Sequence, residues 1–479
     1  MTVSSSIKDK AAKSVIWSFA EKISVQGVGF VIGLILARLL MPEDYGVIAI
    51  LYIFISVATV FIDGGFSNAL IQNQERTEKD FSTAFYTNVG VAILCYLLLY
   101  IAAPYMAEYF KQPLLKNVTR VYGISLVISS VSLVQKSRYY INYNFRIIAL
   151  ISLGAILFGG IIAIIMAYNG SGVWTLVWYY LIVETIRTVC LWILGKWFPS
   201  EGFSTASFIR IFNFGSKLLG ANMLNVIASN IYTFVIGKMF NATNLGFYSR
   251  GQSMSYIIPS NFSNIMTQAS YPVLCEVQDD QEKLRFYFLK YIKVSFAALA
   301  PLMVLLASLA FPIVSIILTD KWLPCVPIMQ ILAIAYMFDP VMRLNANVIN
   351  VTGHSEYSFH AELYKKIALL IILIVTSLCG LTAMVWGLAV YNIADLVIVS
   401  FYVKRVIGLN FIQEMRILFP VMLYSIISFG CTVTITSFFD NAYVQIITGA
   451  ITGTITYMAM ILIFSRSIFS DVCKVFKRS

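Results

Sequence analysis

Three features of the sequence predict an all-α integral membrane protein. The expected architecture is about fourteen transmembrane helices: two six-helix lobes related by an internal repeat, plus two C-terminal helices. Of the 479 residues 59% are hydrophobic and 12% charged, with a mean hydropathy of +0.81. That composition excludes an ordinary soluble globule. Apolar runs long enough to cross a hydrocarbon core recur along the whole chain. One stretch is also written twice, about 200 residues apart.

The runs lie at about 14–39, 43–71, 81–103, 114–134, 147–168, 172–195, 207–239, 243–273, 285–318, 324–351, 363–380, 383–403, 416–438 and 442–464. The first does not read as a cleavable signal peptide, because Glu21 and Lys22 interrupt its apolar stretch and no small-residue cleavage site follows. The seven cysteines form no CxxC, and with only His354 and His360 present no metal-ligand cluster is expected. No cofactor is expected.

In the repeat, Gly33–Ala49 lies over Thr233–Ser249, so that Arg38 falls on Lys238 and Gly46 on Gly246. Each copy is an apolar helix end, a cation, a short polar corner and a Gly opening the next helix. Pro42 suits a first helical position and Asn244 a cap. A second match pairs Val173-Trp174-Thr175-Leu176 with Val385-Trp386-Gly387-Leu388, shifted by about 212. Two matches in one order and nearly one register point to duplication.

The net charge of +11 looks at first like a nucleic-acid footprint, but its placement is topological. With the amino terminus taken as cytoplasmic, 19 Lys and Arg fall in that tail and the inner loops, and 4 more follow in the carboxyl tail. Only Arg38, Lys111, Lys116, Lys238 and Lys321 fall outside. This positive-inside asymmetry puts both termini in the cytoplasm and implies no nucleic-acid partner. The expected organisation is an N-lobe over 1–196, a cytoplasmic linker over 197–206, and a C-lobe over 207–408. The last two helices occupy 409–464 and look like an appendage, before a cytoplasmic tail over 465–479. The loops are short, so function is expected inside the membrane, between the lobes.

Six cations remain after the loop count: Lys22, Arg120, Arg187, Lys217, Arg250 and Arg343. An ion in hydrocarbon needs a partner or water. Glu184 and Arg187, and Asp339 and Arg343, stand one turn apart and can pair within a helix. Arg250, Asn261, Asn264 and Gln268 share one line of helix eight, and Asp339, Arg343, Asn347 and Asn350 one stripe of helix ten. Lys22 shares a face of helix one with Gln26, and Lys217 lies near Asn225 on helix seven. Such stripes serve either as hydrogen-bonding glue between helices or as the wall of a wetted cavity. In the cavity reading, the cations Lys22, Lys217, Arg250 and Arg343 meet an anion and the amides meet hydroxyl-rich groups. Glu21, Asp63 and Asp339 are candidate ion-coupling carboxylates. For Asp63, a capping role beside Gly64 and Gly65 is the competing assignment.

Several stretches carry a resemblance. They are Leu40-Met41-Pro42-Glu43-Asp44-Tyr45-Gly46, Asp63-Gly64-Gly65-Phe66-Ser67-Asn68-Ala69-Leu70-Ile71, Gly172-Val173-Trp174-Thr175-Leu176-Val177, Asn213-Phe214-Gly215-Ser216-Lys217, Leu245-Gly246-Phe247-Tyr248-Ser249-Arg250 and Lys321-Trp322-Leu323-Pro324. In these the chain resembles the Wzx-type polysaccharide exporters of the multidrug/oligosaccharidyl-lipid/polysaccharide superfamily, in the branch of the colanic-acid exporters. The resemblance implies alternating access that carries an undecaprenyl-pyrophosphate-linked oligosaccharide from the inner to the outer leaflet of the cytoplasmic (inner) membrane. It implies membrane lipids and polysaccharide polymerase or assembly proteins as further partners, and no enzymatic activity. Lys22 and Arg250 match the cationic residues of helices one and eight in the related lipid-linked peptidoglycan-precursor flippases. Two other classes compete. A drug/cation antiporter of the same superfamily would need a mainly acidic cavity, against the Lys/Arg excess here. A membrane-embedded glycosyltransferase or polymerase would need a long outer loop, which is absent.

Overall fold

The computed structural model describes residues 24–466, so Glu21 and Lys22 lie outside the described residues. The regular elements described are all helical. Eleven helical segments among them are long and apolar enough to cross a membrane, making this a multi-pass membrane protein. By packing, the chain divides into two compact units between Gly246 and Phe247.

The first unit begins with α1 (Ser24–Leu39), α2 (Pro42–Asp63), α3 (Phe66–Gln72), α4 (Glu78–Tyr109) and α5 (Leu114–Tyr122). It continues with α6 (Ile124–Ile141), α7 (Phe145–Tyr168), α8 (Val173–Gly195), α9 (Thr205–Met239) and the opening residues of α10 (Ala242–Glu276). Local chemistry sets the boundaries. Pro42 takes the first position of α2, and the Asp44 carboxylate accepts from the Met41 N–H at 2.9 Å. The run expected at 43–71 is broken by Gly64 and Gly65 at φ 51° and 76°, a left-handed corner that permits α3 to start in a new direction. At the repeat's second corner Asn244 is not the cap. The side chain of Asn241 accepts from the Asn244 N–H at 2.8 Å, because α10 opens one residue later, at Ala242.

α1 packs on α7 and α8 through Ile32 and Leu36 against Ala155, Ile156, Ala163 and Val183. A Cβ on Gly160 would run into Ile32, so a small residue is required at that crossing. Residues 196–204 carry no helix. α9 then packs on α2, α3 and α4, so the compact unit runs on to Gly246 instead of ending at 196.

The second unit holds the rest of α10, then α11 (Gln281–Ser308), α12 (Ala310–Leu318) and a 3₁₀ turn (Asp320–Cys325). There follow α13 (Val326–Tyr336), α14 (Asp339–Val351), α15 (Ser355–Ser377), α16 (Leu381–Ile407), α17 (Phe411–Thr436) and α18 (Ala442–Phe464). Asp280 caps α11 and accepts from the Lys283 side chain at 2.8 Å. That hydrogen bond holds its exposed carboxyl below the usual range. α11 forms the middle of the unit, with Phe288, Ile292, Phe296 and Met303 fully buried. The two C-terminal helices are no appendage to it. α17 and α18 pack on α11, the Tyr457 hydroxyl donating to the Ala297 carbonyl at 2.6 Å and the Ser428 hydroxyl to the Gly453 carbonyl at 2.9 Å.

Candidate functional site

α10 and α14 are laced together through one guanidinium. Arg343 Nε donates to Asp339 Oδ2 at 2.8 Å, Nη1 to Asn264 Oδ1 at 3.0 Å and Nη2 to the Tyr256 hydroxyl at 3.0 Å. A planar fork can serve three such acceptors at once; an ammonium would lack the geometry. Asn347 adds a longer bond from Nδ2 to the Thr267 carbonyl, at 3.4 Å. The intrahelical Asp339–Arg343 pair therefore forms, yet its larger role is between helices. Asp339 is nearly enclosed, at 12% side-chain exposure, while Arg343 keeps 34% and a face open to further contact.

The other residues of the two stripes part company. Arg250 is half-buried, its guanidinium 5.9 Å from the centre of the Trp322 ring on the 3₁₀ turn. Asn261 Nδ2 turns back to the Ile257 carbonyl of its own helix at 2.9 Å. Gln268 is exposed. Asn350 Oδ1 accepts from the Ser358 hydroxyl at 2.7 Å, tying α14 to α15. The two helical stripes thus resolve into a helix–helix seam, a cation on an aromatic ring and a helix–helix latch.

In the first unit Gln26, Lys217 and Asn225 are all exposed on their helices. Lys217 sits on α9 two residues after Gly215, where α9 meets the Gly64–Gly65 corner with almost no side-chain spacer. Asp63 Oδ1 accepts from the Ser67 hydroxyl at 2.5 Å across that corner. Ser56 and Thr59 spend their hydroxyls on the Ile53 and Ile55 carbonyls.

Further ionisable groups are organised that the helical stripes did not point to. Asp80, fully buried, accepts from the Thr77 N–H and from Arg210 across to α9. Glu78 accepts from Arg138 at 3.0 Å and from Trp197 Nε1 at 2.7 Å. In the second unit Lys365 bridges Glu362 and Asp395, at 2.6 and 3.2 Å. Glu414 is fully buried on α17, accepting from Ser400 and Asn345. Its signal in the sequence was the buried stripe Glu414, Leu418, Val421 and Ser425, a helix face that carries an acid where every other position is apolar or small.

Comparison with known proteins gives a consistent answer. Residues 35–327 match the family described as "Polysaccharide biosynthesis protein". The lipopolysaccharide biosynthesis protein WzxC of Escherichia coli (strain K12) is 23% identical over 416 residues, covering 85% of this chain and 84% of its own. The succinoglycan biosynthesis transport protein ExoT of Rhizobium meliloti (strain 1021) is 23% identical over 468 residues, covering 95% and 93%. Among solved structures the lipid II flippase MurJ, in an inward closed conformation, superposes with a TM-score of 0.74 at 18% identity, covering 95% of this chain and 100% of that one. That likeness establishes the fold.

Proposed function

We propose that this chain, which belongs to the polysaccharide biosynthesis protein family, moves an undecaprenyl-pyrophosphate-linked oligosaccharide from the inner to the outer leaflet of the cytoplasmic membrane. It is a polysaccharide-export transporter of the multidrug/oligosaccharidyl-lipid/polysaccharide superfamily and not an enzyme. The observation that carries the finer reading is the set of cations within long helices, Lys217, Arg250 and Arg343, with Arg343 held in place and still partly open; Lys22 joins them from the sequence alone.

The physical reason is the pyrophosphate. Moving a bare anion into hydrocarbon meets an idealised Born penalty on the order of 20 kcal/mol per charge. A cation-lined aqueous path lowers that barrier, and weak, exchangeable contacts let the load go at the far side. Arg offers phosphate a forked contact and Lys a movable point charge. The amides Gln26, Asn225, Asn261, Asn264, Gln268, Asn347 and Asn350 suit the hydroxyl-rich glycan, and of these Gln26, Asn225, Gln268 and Asn350 are exposed.

Alternating access fits the proposed duplication, whose sequence copies at 1–196 and 207–408 do not coincide with the packed units that divide after Gly246. If α1, α10 and α15, which fall outside the eleven strongly apolar spans, also cross, the total is the expected fourteen. α10 drops out because Arg250, Gln252, Asn261, Asn264 and Gln268 thin its hydropathy, as expected of a helix lining a wet path. The 23 Lys and Arg assigned inside against 5 outside support cytoplasmic termini.

Deleting the gene in its native strain tests this reading. Undecaprenyl-linked repeat units should accumulate at full length on the inner leaflet. A change in drug sensitivity without accumulation would instead indicate an antiporter, and truncated glycan would indicate a glycosyltransferase or polymerase.

A further inference from the structure

Glu414 lies in the first turn of α17 with none of its side chain exposed. Its Oε2 accepts from Ser400 Oγ at 2.8 Å and from Asn345 Nδ2 at 3.0 Å, joining α17 to α16 and α14. Its Oε1 is buried with no hydrogen-bond partner, and so is Oδ1 of Asn345, the residue that donates to it. Two buried acceptor oxygens on adjacent, already bonded side chains therefore lack a hydrogen. Native interiors rarely leave such groups unsatisfied.

The charge balance points the same way. Cations on the surrounding helices are Lys283, Arg285, Lys290 and Lys293 of α11, Arg343 of α14, Lys404 and Arg405 of α16 and Arg416 of α17 itself. Among the described residues none of them forms an ion pair with Glu414. Of the acids on the same helices, Asp339 pairs with Arg343 and Asp395 with Lys365, while Glu282 stands in the first turn of α11. α18 carries no charged side chain. The positive end of α17 favours an anion there, but Asn410 already caps it, accepting from the Gln413 and Glu414 N–H groups. An ionised Glu414 would be a buried charge without a counter-ion.

We propose that Glu414, Asn345 and Ser400 form a buried proton-binding site, with Glu414 carried as the neutral acid when α17 is docked. One proton on Oε1, donated to Asn345 Oδ1, satisfies both orphan oxygens. Together with the Nδ2–H···Oε2 bond it closes a paired acid–amide ring. The proton comes from water and returns to water when the α14–α16–α17 junction opens. Release leaves a carboxylate that this junction cannot hold, so proton binding fastens α17 to the second unit.

The test uses the purified full-length protein in lipid nanodiscs. Infrared difference spectra of wild type minus Glu414→Gln should show a protonated carboxylic acid at neutral pH. Gln can keep the ring by amide–amide pairing. In thermal unfolding, the folded wild type holds one more proton than the unfolded chain around neutrality, so its midpoint should fall as pH rises; that of Glu414→Gln should stay flat. Should Glu414→Gln fail to fold, Ser400→Ala serves instead. Losing a donor to the carboxylate, it should retain the acid band to higher pH than wild type. Absence of the acid band, equal pH slopes for wild type and Glu414→Gln, or an alkaline midpoint restored by sodium but not by potassium would each overturn the proton site, the last in favour of a sodium ion.

Discussion

Gly46 and Gly246 occupy matching positions in a reciprocal contact. A Cβ on Gly46 would collide with the Ala242 carbonyl, and a Cβ on Gly246 with the Pro42 carbonyl. Pro42 and Ala242 are themselves first residues of α2 and α10, equivalent at the same shift of about 200. Residue i meets j of the other copy while j meets i, the signature of a local two-fold relation. The repeated corner thus packs on its own second copy.

Alanine at either glycine should be costly, because the obstacle is backbone and cannot rotate away. Overpacking of this kind destabilises by about 1–3 kcal/mol. Thermal midpoints in detergent should fall for Gly46→Ala and Gly246→Ala, and the double variant should depart from additivity because the two sites share one contact. Additive, sub-threshold effects would mean that the corners are not tightly apposed in the membrane.

Arg343→Ala removes three hydrogen bonds at once and strands Asp339 in a nearly closed site. A loss of roughly 1–3 kcal/mol is expected, discounted from a fully buried pair because Arg343 is a third exposed. Replacing Asp339 by Asn in the same chain should recover part of the stability, since the stranded charge is then gone. Glycan export should not return with it. A double variant that regained both would make Arg343 a structural residue only.

The hydropathy of the chain was enough to locate the eleven strongly apolar spans among the described residues, because burial in lipid demands long apolar runs. It could not show where a span breaks. Gly64–Gly65 turns α2 into α3, and Phe338 stands at the joint between α13 and α14, without loss of hydrophobicity at either place. The helical wheel placed Asn264 and Asn347 on matching stripes, which the Arg343 seam unites. It equally joined Asn261 and Asn350, whose amides bond elsewhere, since angle alone does not say which neighbour is within reach. Glu414 escaped notice for a different reason. An acid close to Arg416 at a helix start reads as solvated loop charge until the packing of α17 with α14 and α16 encloses it.

Topology is open to direct measurement. A reporter fused after Ser479 should be active only in its cytoplasmic form, and one inserted after Asn169, in the turn between α7 and α8, only in its external form. Asn169 follows five crossings counted from a cytoplasmic amino terminus, an odd number, and is therefore expected outside. The fusion pair should therefore report opposite sides. An outward Ser479 would contradict the charge asymmetry.

The most direct measurement of the central claim is glycan export by charge variants in a strain lacking its own copy of the transporter, with membrane expression checked for each. Lys217 and Arg250 are the test positions, one exposed on α9 and one half-buried on α10. Lys217→Ala and Arg250→Ala should lose most export, while Arg250→Lys, which keeps the charge and loses the fork, should retain a measurable part. Accumulation of full-length undecaprenyl-linked repeat units should rise in step with the loss. Wild-type export by both alanine variants at normal expression would contradict a cationic path for the pyrophosphate.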